Sequence, residues 1–255
     1  MIILKSPAEL QKIRAACHII GELLNELADR IVPGISTWDL DAFAYDFITA
    51  RGAKPAFKGY KVSGLPPFPG TLCTSPNSGI VHGIPSKQVI LREGDIIGID
   101  VGVIKDGYYG DAARTYQVGK ISSAANRLLE VTSEALRRGI AAARPGNRVG
   151  DISHAVGSYV QEQGYFVADN LTGHGVGCAL HEEPQIPNSG KPGRGPRLDS
   201  GMTLAIEPMV NIGTNRVSEK GWEFFTADGS LSAHFENSIL VTDDQPEILT
   251  QAEGA

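Results

Sequence analysis

Two acids, Asp100 and Asp111, stand near each other in the sequence, and the residues between them say how they meet. Over residues 95–103 the side chains alternate: Ile97, Ile99, Val101 and Val103 fall on one face of a strand, and Gly98, Asp100 and Gly102 on the other. Lys105-Asp106-Gly107 then signals a tight hairpin turn. With Asp106 and Gly107 at the centre of that turn, Asp111 lies opposite Gly102. Asp100 and Asp111 become diagonal neighbours on one face, roughly 7–8 Å apart at the backbone. A single acid there would read as a buried carboxyl held by hydrogen bonds. Two acids on a flat, glycine-flanked face make a poor core, and like charges side by side repel. A bound cation is the simplest remedy.

The second half of the chain supplies more groups of this kind. His174 lies in Thr-Gly-His-Gly-Val-Gly, and His181 opens His-Glu-Glu-Pro. Glu207 sits in Ala-Ile-Glu-Pro-Met, and Glu236 in Ser-Ala-His-Phe-Glu-Asn-Ser, ahead of the apolar run Ile239-Leu240-Val241. Both glutamates follow an apolar residue in a strand-like run. The glycines around His174 either let backbone approach a ligand or make a turn, and both readings stand.

The elements that must position these groups come in two similar sets. Ser6, Pro7 and Glu9 form a capping box ahead of apolar residues at Leu10, Ile13, Cys17, Ile20 and Leu24, which predicts a helix. Pro33-Gly34 ends it, and a second helix is expected from about Thr37 to Gly52. Pro145-Gly146, Asp151 and Gly164 repeat Pro33-Gly34, Asp39 and Gly52 at a constant offset of 112 residues. Gly94 to Asp100 resembles Gly201 to Glu207 at an offset of 107. The pattern predicts one unit duplicated within the chain, each copy delivering acids from equivalent strands to one cleft. Segments 60–71 and 188–197, rich in Gly and Pro, read as surface loops of the kind that border binding sites.

Composition narrows the function. With 255 residues, 42% hydrophobic and 20% charged, the chain suits one large globular domain. The net charge is −6 and no run of Lys or Arg occurs, so no direct nucleic-acid binding is expected; Arg137-Arg138 reads as a solvated helix face. Cys17, Cys73 and Cys178 form no C-x-x-C pair, which disfavours a disulfide framework or zinc ribbon. Met-Ile-Ile-Leu-Lys is too short for a signal peptide, and no segment reaches the roughly 18 apolar residues of a membrane helix. A cytoplasmic, soluble protein without membrane contact is expected.

The motifs taken together resemble a known family. His82-Gly-Ile-Pro85, Asp100-Val-Gly, Gly110-Asp111, His174-Gly-Val-Gly, His181-Glu-Glu-Pro-Gln-Ile-Pro187 and Ile206-Glu-Pro208 are similar to signatures of the type I methionine aminopeptidases, peptidases of the M24 group. The match runs from about residue 6 to 248, with separations of 11, 63, 33 and 29 residues between successive members of the set Asp100, Asp111, His174, Glu207 and Glu236. Prolidase-like relatives carry an additional N-terminal domain for which this chain has no room. Type II relatives carry a helical insertion where His181 and Glu207 are only 26 residues apart. The N-terminal zinc-binding extension of some relatives is not expected here.

The resemblance implies an α+β "pita-bread" fold: a curved antiparallel sheet covered by helices, in a single catalytic domain spanning 1–255 with pseudo-symmetric halves at about 6–118 and 122–248. It implies removal of the N-terminal methionine from nascent proteins, with a small second residue preferred, by a hydroxide held between two divalent ions. Asp111 and Glu236 would bridge the ions, Asp100 would hold one, and His174 and Glu207 the other. Oxygen-rich ligation suits Co, Mn, Fe or Zn. Glu207 would shuttle protons, His181 would meet the scissile carbonyl or oxyanion, and His82 would contact the scissile nitrogen or help protonate the leaving amine. Phe68, Cys73 and Trp222 would line the methionine pocket, Trp222 lying 14 residues before Glu236. Departures from the pattern fall at Leu180, where an aromatic is usual, at Cys178, and in a longer 60–68 loop that leaves Tyr60 and Leu65 as alternative pocket residues. The family's task implies nascent-chain N-termini as partners, transient docking near the ribosome, and a monomer.

Overall fold

Ser6 stops the extended N-terminal segment and starts a helix. Its backbone N–H donates to Glu9 Oε2 at 2.8 Å, and Glu9 returns its own N–H to Ser6 Oγ at 3.4 Å, so both ends of the capping box are made. The computed structural model describes residues 2–251. Its first half contains α1 (Pro7–Ala28), α2 (Thr37–Ala50), β1 (Lys54–Pro55), β2 (Leu72–Pro76), β3 (Gly79–Val81), β4 (Ile96–Lys105) and β5 (Tyr108–Gln117). The second half opens with α3 (Ser123–Ala142), α4 (Val149–Glu162), β6 (Phe166–Val167), β7 (Thr172–Gly175), β8 (Glu182–Pro187) and β9 (Thr203–Ile206). It ends with β10 (Met209–Asn211), β11 (Val217–Lys220), β12 (Glu223–Thr226), β13 (Ser232–His234), β14 (Asn237–Leu240) and β15 (Glu247–Ile248). Gly52, with φ of 63°, follows α2 as expected for a helix-terminating glycine.

Every strand pair is antiparallel. The β4–β5 hairpin turns at Asp106 (φ 50°) and Gly107 (φ 82°), the two positive φ values that a tight hairpin turn of this length favours. Gly102 therefore faces Asp111, as the spacing predicts. Strands β1, β2 and β5 assemble on β4; strands β15, β14, β9, β7 and β8 form the largest sheet in that order.

Each of these two sheets is covered by a helix pair on one face. Leu23, Leu24 and Leu27 of α1 and Leu40 and Ile48 of α2 pack with Leu72, Ile97, Ile99, Val101 and Val103. Leu136 of α3 and Ile152 of α4 pack with Ile186, Leu204, Ile206 and Ile239. Because side chains alternate along a strand, residues next to Ile99 and Ile206 point away from the helices. Asp100 and Glu207 are those residues.

The halves meet through β5 and the segment 234–238. Ala113 and Glu236 exchange backbone bonds, Glu236 N–H donating to Ala113 O at 2.8 Å. Two hydroxyls replace further ladder bonds: Ser238 Oγ accepts from Asp111 N–H (3.0 Å) and donates to Asp111 O (2.7 Å), while Thr115 Oγ1 accepts from His234 N–H (2.9 Å) and donates to His234 O (2.9 Å). The arrangement is symmetric about the Ala113–Glu236 pair. Helices α2 and α4 and the lone bridges Ser36–Ile90 and Arg148–Arg197 recur at the spacing of the Pro-Gly and Asp landmarks.

Candidate metal centre

Five side chains from different elements converge where the halves meet. Asp100 comes from the middle of β4, Asp111 from β5, His174 from β7, Glu207 from the residue after β9, and Glu236 from the step between β13 and β14. Donor atoms of Asp111, His174 and Glu236 all lie within 4.8 Å of one another. His174 Nε2 stands 3.4 Å from Glu207 Oε1 and 3.8 Å from Asp111 Oδ2. Asp100 lies near enough to Asp111 for its charge to push the Asp111 carboxyl up.

Local structure fixes the chemistry of His174. Its Nδ1 lies 2.9 Å from Gly175 O, an acceptor only, so Nδ1 carries the proton and Nε2 presents a lone pair to the acids. The flanking glycines lie within strand β7 rather than in a turn. A Cβ on Gly173 would come within 2.5 Å of Ala205 O, and one on Gly175 would run into the Glu183 carbonyl. They let β8 and β9 close on β7 from both sides.

Burial makes four acids in one place costly without a cation. Desolvation pushes Asp100 up to about 7 and Glu207 up to about 8. Asp111 and Glu236 are driven well above the usual carboxylate range by burial and then by the neighbouring acids. Burial also keeps the histidines neutral, pushing His174 down to about 3 and His82 to about 4, with His181 and His234 lowered too. One oxygen each of Asp100, Asp111 and Glu236 is buried with no hydrogen-bond partner. Orphaned anionic oxygens beside an imidazole lone pair form a donor set that fits divalent ions. Two such ions would balance the charge of Asp100, Asp111, Glu207 and Glu236.

A cavity of about 190 Å³ opens from these acids. Phe57, Tyr60, Phe68, Cys73, Leu180 and Trp222 form its apolar wall. Cys73 is beside Asp100 because β2 pairs them in register. Phe68 meets Trp222 edge-on at 5.5 Å, and Trp222 Nε1–H donates to Pro66 O at 2.8 Å, pinning the 60–68 loop. Of the two alternatives in that loop, Tyr60 lines the cavity, while Leu65 packs behind it in the same apolar cluster. Leu180 fills the position where an aromatic is usual; Cys178 is exposed and outside the cavity wall.

Two histidines overhang the acids. His82 has φ of 59°, rare for a residue with a Cβ, and Phe224 meets its ring edge-on at 5.4 Å. The His181 ring centre is 4.4 Å from that of His174, and its Nδ1 is 3.0 Å from the Tyr60 hydroxyl. Just beyond it Glu182 accepts the N–H groups of Cys178 and Ala179 and binds Lys5 Nζ at 2.5 Å, with the pair almost wholly buried.

The sequence pattern pointed to no role for Tyr60 beyond the pocket wall, and to none for Lys5, Glu182 or His234. His234 Nε2 lies 3.5 Å from Glu207 Oε2 and 3.9 Å from Glu236 Oε2. A signal for it existed, since His234 stands two residues before Glu236 in a strand-like run, which puts both on one face.

A helix-backed antiparallel fold with buried carboxylates and an imidazole at its seam defines a class, the metal-dependent hydrolases. The chain matches the model of metallopeptidase family M24 over residues 11–243, and it belongs to that family. It is 49% identical to a methionine aminopeptidase of Clostridium acetobutylicum, covering 99% of this chain and 100% of that one. A methionine aminopeptidase structure from Thermotoga maritima superposes with a TM-score of 0.95 at 44% identity, over 98% of this chain and all of the other. Prolidase from Pyrococcus furiosus superposes at 0.78 with 25% identity, but this chain covers only 66% of it. The pita-bread fold expected from the motifs is therefore the fold of this chain.

Proposed function

We propose that this chain is a metal-dependent methionyl aminopeptidase that releases the N-terminal methionine of nascent proteins, favouring a small second residue. The observation that carries this reading is the opening of an apolar, sulfur-containing cavity directly onto buried acids with orphaned oxygens. Thioether side chains favour such walls, since sulfur is polarizable and packs against aromatic edges. The two halves form a single catalytic domain that arose by duplication, in keeping with the paired helices and the symmetric hydroxyl clamps.

Asp100, Asp111, His174, Glu207 and Glu236 would hold two divalent ions drawn from Co, Mn, Fe or Zn. Bound there, the ions supply a nucleophile from water at neutral pH and polarise the scissile carbonyl. Phe68, Cys73 and Trp222 seat the methionine side chain and so fix the peptide bond over the acids. Glu207 takes the proton of the attacking water and returns it to the leaving amine. His181 donates to the carbonyl oxygen as it gains charge. His82 contacts the scissile nitrogen. No helix among the described residues is long and apolar enough to cross a membrane. A cytoplasmic monomer docking transiently near the ribosome suits the substrate.

Metal-stripped protein assayed on a Met-Ala-Ser peptide tests the reading, with Mn, Co, Fe or Zn restored separately and Asp111→Ala as control. Methionine is expected only with metal and only from the unaltered chain. Release from an Xaa-Pro peptide instead would turn the assignment towards a proline-specific enzyme of the same fold.

A further inference from the structure

The groups assigned to the centre so far leave one buried imidazole unexplained. His234 is 3% exposed, and its Nε2 is buried without a hydrogen-bond partner. Leaving a buried ring nitrogen unpaired is costly, so a group there calls for a partner. Two carboxylate oxygens lie close by, Glu207 Oε2 at 3.5 Å and Glu236 Oε2 at 3.9 Å.

The carboxylate of Glu207 thus lies between two imidazoles. His174 Nε2 is 3.4 Å from Oε1 and His234 Nε2 is 3.5 Å from Oε2. The two contacts differ in kind. His174 has its proton on Nδ1, so its Nε2 lone pair faces Oε1 and leaves a gap that only a cation fills favourably. Once Glu207 is ionised to hold an ion, a second lone pair on the far side would repel Oε2. A proton on His234 Nε2 turns that contact into a donated hydrogen bond.

The seam between the halves explains why the ring is aimed there. Thr115 Oγ1 holds both the N–H and the carbonyl of His234, just as Ser238 Oγ holds both on Asp111. His234 and Asp111 occupy equivalent positions about the Ala113–Glu236 pair. One mate supplies an acid to the ions and the other, two residues before Glu236, projects an imidazole to the same centre from the opposite side.

We infer that His234 is a positioning residue of the metal centre, whose Nε2–H holds Glu207 Oε2 so that Oε1 is presented beside His174 Nε2. This rests on the aminopeptidase reading above. The bond fixes the rotamer of the group that must both hold an ion and carry a proton. Hydrogen bonds of this sort behind a ligand typically change metal affinity by about 10- to 100-fold.

The test compares His234→Leu, which removes the donor at similar size, with His234→Gln, whose amide N–H reaches the place of Nε2. Calorimetric titration with Mn gives stoichiometry and affinity without any turnover, and Met-Ala-Ser kinetics follow on the same samples. In the leucine variant both ions still bind, one about 10- to 100-fold more weakly, and kcat falls with KM changed less than about twofold. The glutamine variant stays within about threefold of the unaltered chain in both measurements. Should the leucine variant prove unfolded by circular dichroism, His234→Asn replaces it, since its shorter amide cannot reach Glu207. Wild-type affinity and kcat in the donor-less variant would overturn the inference, as would loss of one full equivalent of Mn, which would make His234 a ligand. Unaltered protein that binds no Mn would sink the aminopeptidase reading itself, and His234 with it.

Discussion

At the scale of single residues, the protonation of His181 turns on Tyr60. Burial raises the Tyr60 hydroxyl above its ordinary value, so it carries its proton at neutral pH. It lies 3.0 Å from His181 Nδ1. A hydroxyl donating to Nδ1 leaves the imidazole proton on Nε2, the tautomer that donates to a carbonyl oxygen. Tyr60→Phe keeps the wall of the cavity and removes that bond. With a net value of about 0.5–1.5 kcal/mol for one hydrogen bond, kcat should fall about 2- to 10-fold while bound metal stays unchanged. Steady-state kinetics beside metal analysis decide it: unchanged kcat would show that the tautomer is set elsewhere, and lost metal would show that Tyr60 supports the centre instead. None of this was readable from residue type, because the length of the 60–68 loop left Tyr60 and Leu65 equivalent until Phe68 N–H closed the loop onto Tyr60 O at 2.9 Å.

At the scale of elements, what the sequence disclosed was local, and what it hid was long-range. The capping box of α1 and the register of the β4–β5 hairpin were legible because each is fixed by residues within a few positions of one another. The bonds between Ser238 and Asp111 join residues 127 apart, and no local pattern announces them. The Lys5–Glu182 pair, 177 residues apart, is hidden the same way. It ties the segment before α1 to the turn that carries Leu180 and His181, since Glu182 also accepts the N–H groups of Cys178 and Ala179. Lys5→Met leaves Glu182 buried without its cation. Breaking a buried pair from one side typically costs about 3–5 kcal/mol. The variant should unfold at lower urea and, well below its midpoint, turn over more slowly with unchanged metal affinity. A lower midpoint with full turnover would assign the pair to stability alone.

At the scale of the whole molecule, the meeting of two halves concentrates charge that the fold cannot neutralise by itself, and this links stability to pH. Asp100, pushed up to about 7, and Glu207, pushed up to about 8, hold protons in the metal-free native state that the unfolded chain, with ordinary values of 3.8 and 4.5, has already released. The native state then binds more protons than the unfolded one, so stability falls as pH rises through this window. His174 and His82 have the opposite sign: lowered to about 3 and about 4 from 6.5, they bind protons only when unfolded, and stability rises with pH until 6.5. The two effects oppose each other below 6.5, and above it only the acids remain. Between pH 6.5 and 8.5 the metal-free protein should therefore lose stability steadily, as the folded chain gives up protons that the unfolded chain has already released. Bound divalent ions reverse the slope, because the ligands must be deprotonated to bind and deprotonation is then favoured by rising pH. Urea midpoints measured across this range with a chelator, and again with saturating Mn, give the comparison. A falling metal-free profile beside a flat or rising loaded one is expected. A flat metal-free profile would mean that the acids are already ionised in the folded chain, and that a neighbouring charge rather than an added cation keeps them together.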